Sequence, residues 1–215
     1  MKNTTPEIDN LANLASIYRL LSHFYRKELS LSLVEKMEQS GLLAELERLG
    51  YEIDSHKLKD EAYLRDLAIE YSRVFIGPGS HLSPYGSVYH PDDPKKGSLW
   101  GDTTKWVRRF VMDHGLEFEG EAFDGIPDHI SHELEFFSRL VEQEAIVRQA
   151  GEEEKAERLR NSQSMFFHQQ LEKWIPEFCA KIPDMAKLPF YKEVARLTND
   201  IIESEKIRLN ESDVV

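Results

Sequence analysis

The sequence predicts an all-α protein, on three observations. Apolar residues recur at three- and four-residue steps almost throughout, no stretch alternates as a half-buried strand would, and Gly or Pro punctuates the periodic runs. The first run is Leu11, Leu14, Ala15, Tyr18, Leu21 and Tyr25, opened by a Thr5 cap with Pro6 at the first helical position. Ser32 with Glu35 three residues on is a capping-box pattern that starts a second helix, and Gly41 and Gly50 separate the short helical pieces that follow. From about Lys57 to Phe75, Leu58, Ala62, Leu67, Tyr71 and Phe75 mark another amphipathic helix.

Residues 76–102 break this rhythm with Gly, Pro, Ser and Asp, over a length unusual for a loop inside a compact domain. The segment also holds Leu82, Tyr85, Val88, Tyr89, Leu99 and Trp100, which a solvated linker does not need. It therefore reads as a long structured loop that covers something, with a hinge for domain swapping as the alternative. Helices resume near Thr103 or Thr104, with Trp106, Val107, Phe110 and Val111 inward and Gly115 as the stop. After an irregular stretch to Ile126, Pro127 opens a helix whose stripe is Ile130, Leu134, Phe137 and Val141, closed by Gly151. Glu152 to about Ile182 forms the next, kinked at Pro176, and Pro189 to about Ile207 the last. This gives one helical-bundle domain over residues 1–208 and a frayed tail over 209–215.

Composition bounds the function. Apolar residues at 40% and charged residues at 31% describe an ordinary globular chain rather than a disordered one. With 27 Lys and Arg against 39 Asp and Glu, the net charge is −12, which argues against sequence-independent nucleic-acid binding and suits a basic partner. The single cysteine, Cys179, rules out an internal disulfide framework or a Cys-rich metal site; in its apolar setting it packs as a small hydrophobe. No run approaches the roughly 18 apolar residues that span a bilayer, and no apolar stretch follows Lys2 as in a secretory signal. Arg108-Arg109 lies inside a helical pattern, so it is no leader motif. The expected location is the cytoplasm, with no membrane insertion.

The densest polar chemistry is Pro127-Asp128-His129-Ile130-Ser131-His132-Glu133. With proline fixing the helix start, Asp128 falls in the first turn, where it accepts backbone N–H groups and still presents an oxygen outward. His129, His132 and Glu133 share one helical sector. That spacing suits a divalent metal and a metal-dependent hydrolase, but no second ExxH or HExxH element supplies the further ligands a mononuclear site wants. A binding or structural polar cluster is the reading that fits better. Around Gly77 and Gly79 no Lys-Ser/Thr follows and a helix ends rather than begins, so the stretch is not a P-loop. No nucleophile elbow, kinase signature or Rossmann fingerprint is present. The aromatics Tyr71, Phe75, Tyr85, Tyr89, Trp100 and Trp106 gather around the long loop, an arrangement that suits a core and equally a groove for an apolar peptide.

Three stretches resemble the TorD/DmsD/NarJ family of cytoplasmic redox-enzyme maturation chaperones. They are Tyr71-Ser72-Arg73-Val74-Phe75-Ile76-Gly77-Pro78-Gly79, Ser83-Pro84-Tyr85-Gly86-Ser87-Val88-Tyr89, and Pro127-Asp128-His129 with Glu133-Leu134-Glu135-Phe136. Each alone is a weak signal, and the three in order are fairly specific. Many members place one residue between the proline and the Asp-His pair, whereas here Pro127 abuts Asp128, so the motif does not name the client.

The resemblance implies an all-helical TorD-like chaperone without catalytic activity, cofactor or metal of its own. Its partner would be the precursor of a molybdopterin-containing oxidoreductase, bound through a twin-arginine leader and the apoenzyme until the cofactor is inserted and Tat export follows. By motif match the client-binding residues are Tyr71, Phe75, Gly77, Pro78, Pro84, Tyr85, Ser87, Trp100, Asp128, His129 and Glu133. In that role Asp128 and Glu133 pair with guanidinium groups while the aromatics cover the apolar part of the leader. A helical adaptor without leader preference is the alternative, and monomer and domain-swapped dimer both stay open.

Overall fold

The computed structural model describes residues 4–115 and 125–210. Helices follow one another as α1 (Thr4–Arg26), α2 (Leu31–Gln39), α3 (Leu42–Arg48), α4 (Glu61–Tyr71), α5 (Gly86–Tyr89), α6 (Asp102–Asp113), α7 (Ile130–Gln149), α8 (Glu153–Phe166), α9 (Glu172–Met185) and α10 (Pro189–Asn210). Two wide π turns interrupt the series, Ser72–Ile76 at the end of α4 and Phe167–Leu171 between α8 and α9. Among the described residues there is no strand, and the isolated antiparallel bridge Tyr85–His129 is the nearest thing to one. The all-α expectation holds.

The centre is the α1–α7 pair. Leu11, Ala15, Tyr18, Leu21 and Tyr25 bury one stripe of α1, and the Tyr18 and Phe137 rings meet edge to face at 4.7 Å. On α7, Ile130, Leu134, Phe136, Phe137, Leu140 and Val141 are all buried, so this helix is apolar on more than one face, as a central helix must be. It packs against α8 as well as α1, while α9 and α10 pair beside it. Each such side chain, fully buried, contributes about 1.5–3 kcal/mol of transfer free energy.

Helix ends depart from expectation where local chemistry offered a choice. Helix α1 begins at Thr4, which places Pro6 inside the first turn. Ser30, not Ser32, caps α2: its hydroxyl accepts from Leu33 N at 3.4 Å, and Ser32 Oγ sits 3.1 Å from Ser30 Oγ. Lys57–Lys59 is a separate 3-10 turn, and Asp60 caps α4 through Ala62 N at 2.8 Å. Pro127 does not open α7; that helix starts at Ile130 with His129 as its cap. The helix expected from Glu152 to about Ile182 is broken by the π turn Phe167–Leu171, upstream of Pro176, while Pro176 and Pro183 both lie within α9. Gly115 and Gly151 end α6 and α7 in the left-handed region, at φ 72° and 75°, as expected. The last helix runs to Asn210 with Leu209 buried; the expected tail beyond it and the irregular stretch over 116–124 lie outside the described residues.

Candidate functional site

The long loop leaves α4 through the first π turn. Gly77 N–H reaches back to Ser72 O at 2.6 Å, and a Cβ on Gly77 would stand only 3.1 Å from that oxygen. Pro78 has no N–H to carry the turn further. Leu82 N then bonds Val74 O at 2.8 Å and folds the chain back against the π turn.

The loop is next stitched to the start of α7. Ile130 N donates to Pro84 O at 2.9 Å and Gly86 N donates to Asp128 O at 2.8 Å, one bond on each side of the Tyr85–His129 pair. Asp128 is fully buried, and both of its carboxylate oxygens are occupied. Oδ2 accepts from Ser87 N at 2.7 Å, in the first turn of α5, and Oδ1 accepts from Thr104 Oγ1 at 2.9 Å, in the first turn of α6. One side chain thus joins α5, α6 and the approach to α7.

Glu133 makes a second buried junction. Its Oε1 accepts from Gln170 Nε2 at 2.6 Å and its Oε2 from Trp174 Nε1 at 2.9 Å. Burial pushes this carboxyl well above the ordinary value of 4.5; the charge of Asp128 adds to the rise and the two hydrogen bonds oppose it. Gly86 lies against the cluster, where a Cβ would come within 2.6 Å of Gln170 Nε2, 3.2 Å of Trp174 Nε1 and 3.3 Å of Glu133 Oε1. Only glycine fits there without displacing the network.

His129 caps α7 with its ring. Nδ1 accepts from Ser131 N at 3.1 Å and lies 2.8 Å from Ser131 Oγ, and the ring meets Tyr85 edge to face at 5.0 Å. Burial first, and then the neighbouring His132 and Arg26, lower its pKa from 6.5 to about 3. His132 Nδ1–H donates to Ile126 O at 3.0 Å.

The far end of the loop is closed by His90 and Asp93. His90 Nε2–H donates to Gln169 O at 2.9 Å, and its Nδ1 accepts from Asp92 N at 3.2 Å. Asp93 accepts from Lys95 N at 2.8 Å and Thr103 N at 2.9 Å; burial works against its charge, but these N–H bonds outweigh it and hold the carboxyl below the usual range. At the tip, Trp100 adopts φ 63° with 56% of its surface exposed, beside Leu99 at 45%. A cleft of about 530 Å³ opens between this loop and the second π turn, walled by His90, Asp92, Asp102, Trp106, Gln170 and Lys173.

The residues singled out from the sequence divide into three places. Pro84, Tyr85, Ser87, Asp128, His129 and Glu133 meet in the junction just described. Tyr71 and Phe75 belong to the aromatic core: Tyr71 Oη donates to Tyr25 O at 3.0 Å, and Phe75 packs among Tyr25, Phe178 and Tyr191. Gly77, Pro78 and Trp100 lie apart, at the two turns of the loop. One expectation, and one alternative weighed beside it, need correction. Asp128 precedes α7 and presents no oxygen outward, because the 84–87 stretch of the loop folds over it; Glu133 is buried as well. His129, His132 and Glu133 do not converge on a metal either. Glu133 turns toward α9 while the two rings are engaged elsewhere, and among the described residues no group of three such side chains could hold an ion. The sequence reading missed Thr104, Gln170 and Trp174, whose partners lie too far along the chain for any local pattern to mark them, and His90 and Asp93, which each join a local bond to a distant one.

A family model described as the nitrate reductase delta subunit matches residues 32–180. A protein named chaperone protein TorD from Shewanella pealeana is 26% identical over 207 residues, covering 89% of this chain and 87% of that one. Its namesake from Shewanella loihica is 30% identical over 199 residues, covering 86% and 87%. The one from Vibrio cholerae serotype O1 strain El Tor Inaba N16961 is 25% identical over 211 residues, covering 92% of each. These relatives are named as chaperones, not as enzymes.

Proposed function

The chain belongs to the nitrate reductase delta subunit family, and from that premise we propose that it is a cytoplasmic maturation chaperone for a molybdenum-cofactor oxidoreductase. In this reading it binds the client's twin-arginine leader and apo form, and releases them for Tat export once the cofactor is in place. The relatives named TorD, aligned over most of both chains, support the chaperone role. The observation that carries the leader reading is the anchored 77–102 loop, which displays Leu99 and Trp100 beside a cleft bearing Asp92 and Asp102. A leader combines cationic and apolar segments; this face offers exposed apolar surface to the one and, to the other, Asp92 and Asp102, which now pair with Lys173 at 3.9 Å and Lys105 at 2.8 Å and would exchange those partners for the leader's cations. The net charge of −12 steers such a peptide in, with an attraction that weakens with salt.

The proposed division of labour follows exposure. Trp100 and Pro78 are exposed and Gly77, Tyr85 and His129 half-buried, and these make contact, whereas the buried Tyr71, Phe75, Pro84, Ser87, Asp128 and Glu133 shape the face from beneath. Fluorescence anisotropy with a labelled twin-arginine leader peptide tests this. Trp100→Ala should weaken binding about tenfold or more, as loss of an aromatic anchor does. Unchanged affinity would contradict the reading, and equal affinity for a twin-lysine peptide together with unrelated basic peptides would favour a plain adaptor.

A further inference from the structure

We propose that the π turn Phe167–Leu171 is a seat built to hold helix α5, and that Gln170 is its positioning residue. The wide turn is closed by Glu172 N–H reaching back to Phe167 O, five residues away. Such an inserted residue re-aims the side chains and carbonyls around it, and π turns recur at functional sites for that reason.

Here two consecutive residues of the turn hold the two ends of α5. At its start, Gly86 lies against the Gln170 amide, whose Nε2 donates to Glu133 Oε1 at 2.6 Å. At its end, His90 Nε2–H donates to Gln169 O at 2.9 Å. Between them, Tyr89 stacks on Trp174 at 6.0 Å and 14°, and Trp174 Nε1 donates to Glu133 Oε2 at 2.9 Å. A four-residue helix has too few internal hydrogen bonds to persist unaided. Its order is therefore supplied by this seat on one side and Asp128 on the other. The Gln170 side chain is 1% exposed and also forms a wall of the cleft, so the same residue fixes the loop and bounds the space beneath it.

Hydrogen exchange on the full chain tests the seat. In Gln170→Leu, Glu133 Oε1 stays buried without its donor, and the amides of Gly86, Ser87 and His90 should exchange roughly ten- to a hundredfold faster, the cost of a buried acceptor left unsatisfied. Amides in the middle of α1 and α7 should keep their rates. The reciprocal pair Glu133→Gln with Gln170→Glu, which restores one donor facing one acceptor, should recover the α5 protection. Unchanged α5 amides, or a rise shared equally by α1 and α7, would overturn the proposal. The importance of the seat for client binding rests on the leader reading above, and leader affinity of the same variants separates the two. If α5 loosens while affinity stays the same, the seat stands and the loop is not the client face.

Discussion

Replacement of Asp128 separates a positioning carboxylate from a client-contacting one. The side chain is fully buried and accepts from Ser87 N at 2.7 Å and Thr104 Oγ1 at 2.9 Å. Asp128→Ala leaves a buried N–H and a buried hydroxyl without partners, at about 1–3 kcal/mol each, so roughly 2–6 kcal/mol in all. For a chain of this size, at about 2–4 °C per kcal/mol, that lowers Tm by about 4–24 °C. Asp128→Asn is different. Its Oδ1 can keep the Ser87 N–H while its Nδ2 donates to Thr104 Oγ1, because a hydroxyl both donates and accepts. The loss is then about 1 kcal/mol, the difference between a charge-assisted and a neutral bond. Urea and thermal unfolding followed by far-UV circular dichroism measure both variants, and anisotropy with the leader peptide measures what remains of binding. Asp128→Asn should bind the leader within about fivefold of the parent chain, since about 1 kcal/mol carried wholly into binding is roughly a fivefold change and a tenfold one needs about 1.4 kcal/mol. A tenfold loss of affinity in a fully stable Asp128→Asn protein would refute the reasoning, since it would make Asp128 a direct partner of a guanidinium group. An Asp128→Ala protein as stable as the parent would refute it from the other side.

Three more outcomes follow from the same geometry. His129 has a pKa lowered to about 3, so below 6.5 the unfolded chain binds a proton that the folded chain refuses. Stability should fall as pH drops from 6.5 toward 3, by at most about 1.4 kcal/mol per pH unit from this group; His129→Asn, which retains a capping side chain, should flatten urea midpoints over that range, and identical slopes would remove His129 as the cause. Gly86→Ala forces a methyl to within 2.6 Å of Gln170 Nε2 and should destabilise by about 1–3 kcal/mol; a neutral effect in urea unfolding would mean that the seat is loose. Trp100→Gly relieves a left-handed backbone that costs a non-glycine residue about 1–2 kcal/mol, which offsets glycine's extra unfolded freedom of about 0.5–1 kcal/mol. Its stability should therefore not fall while leader affinity does, and a marked destabilisation would assign Trp100 to the core.

The helices were legible in the sequence because each buries one stripe at helical spacing, as α1 does with Leu11, Ala15, Tyr18, Leu21 and Tyr25. Their starts were less so. Pro127 and His129 both lie where a helix can begin, and the choice went to the residue whose ring can cap Ser131 N. The π turns left no mark, since Ser72–Ile76 and Phe167–Leu171 carry the same residue types as the helices they interrupt. The candidate site was legible as a set of residues but not as an arrangement. Motif and spacing located Asp128 and Glu133, yet they became internal joints because a loop some forty residues upstream closes over them and because Gln170 and Trp174 reach them from α8–α9. Such long-range closure has no periodicity to read.

The proposed role is tested most directly by what the chain holds in its own cell. A tagged full-length protein is recovered from cytoplasm in which molybdenum-dependent oxidoreductases are expressed, and the material bound to it is identified by mass spectrometry. A leader-binding maturation chaperone should bring down an oxidoreductase precursor with its twin-arginine leader intact, and should lose it when an excess of leader peptide is added. Recovery of general chaperones alone, or of the mature enzyme without its leader, would contradict that role.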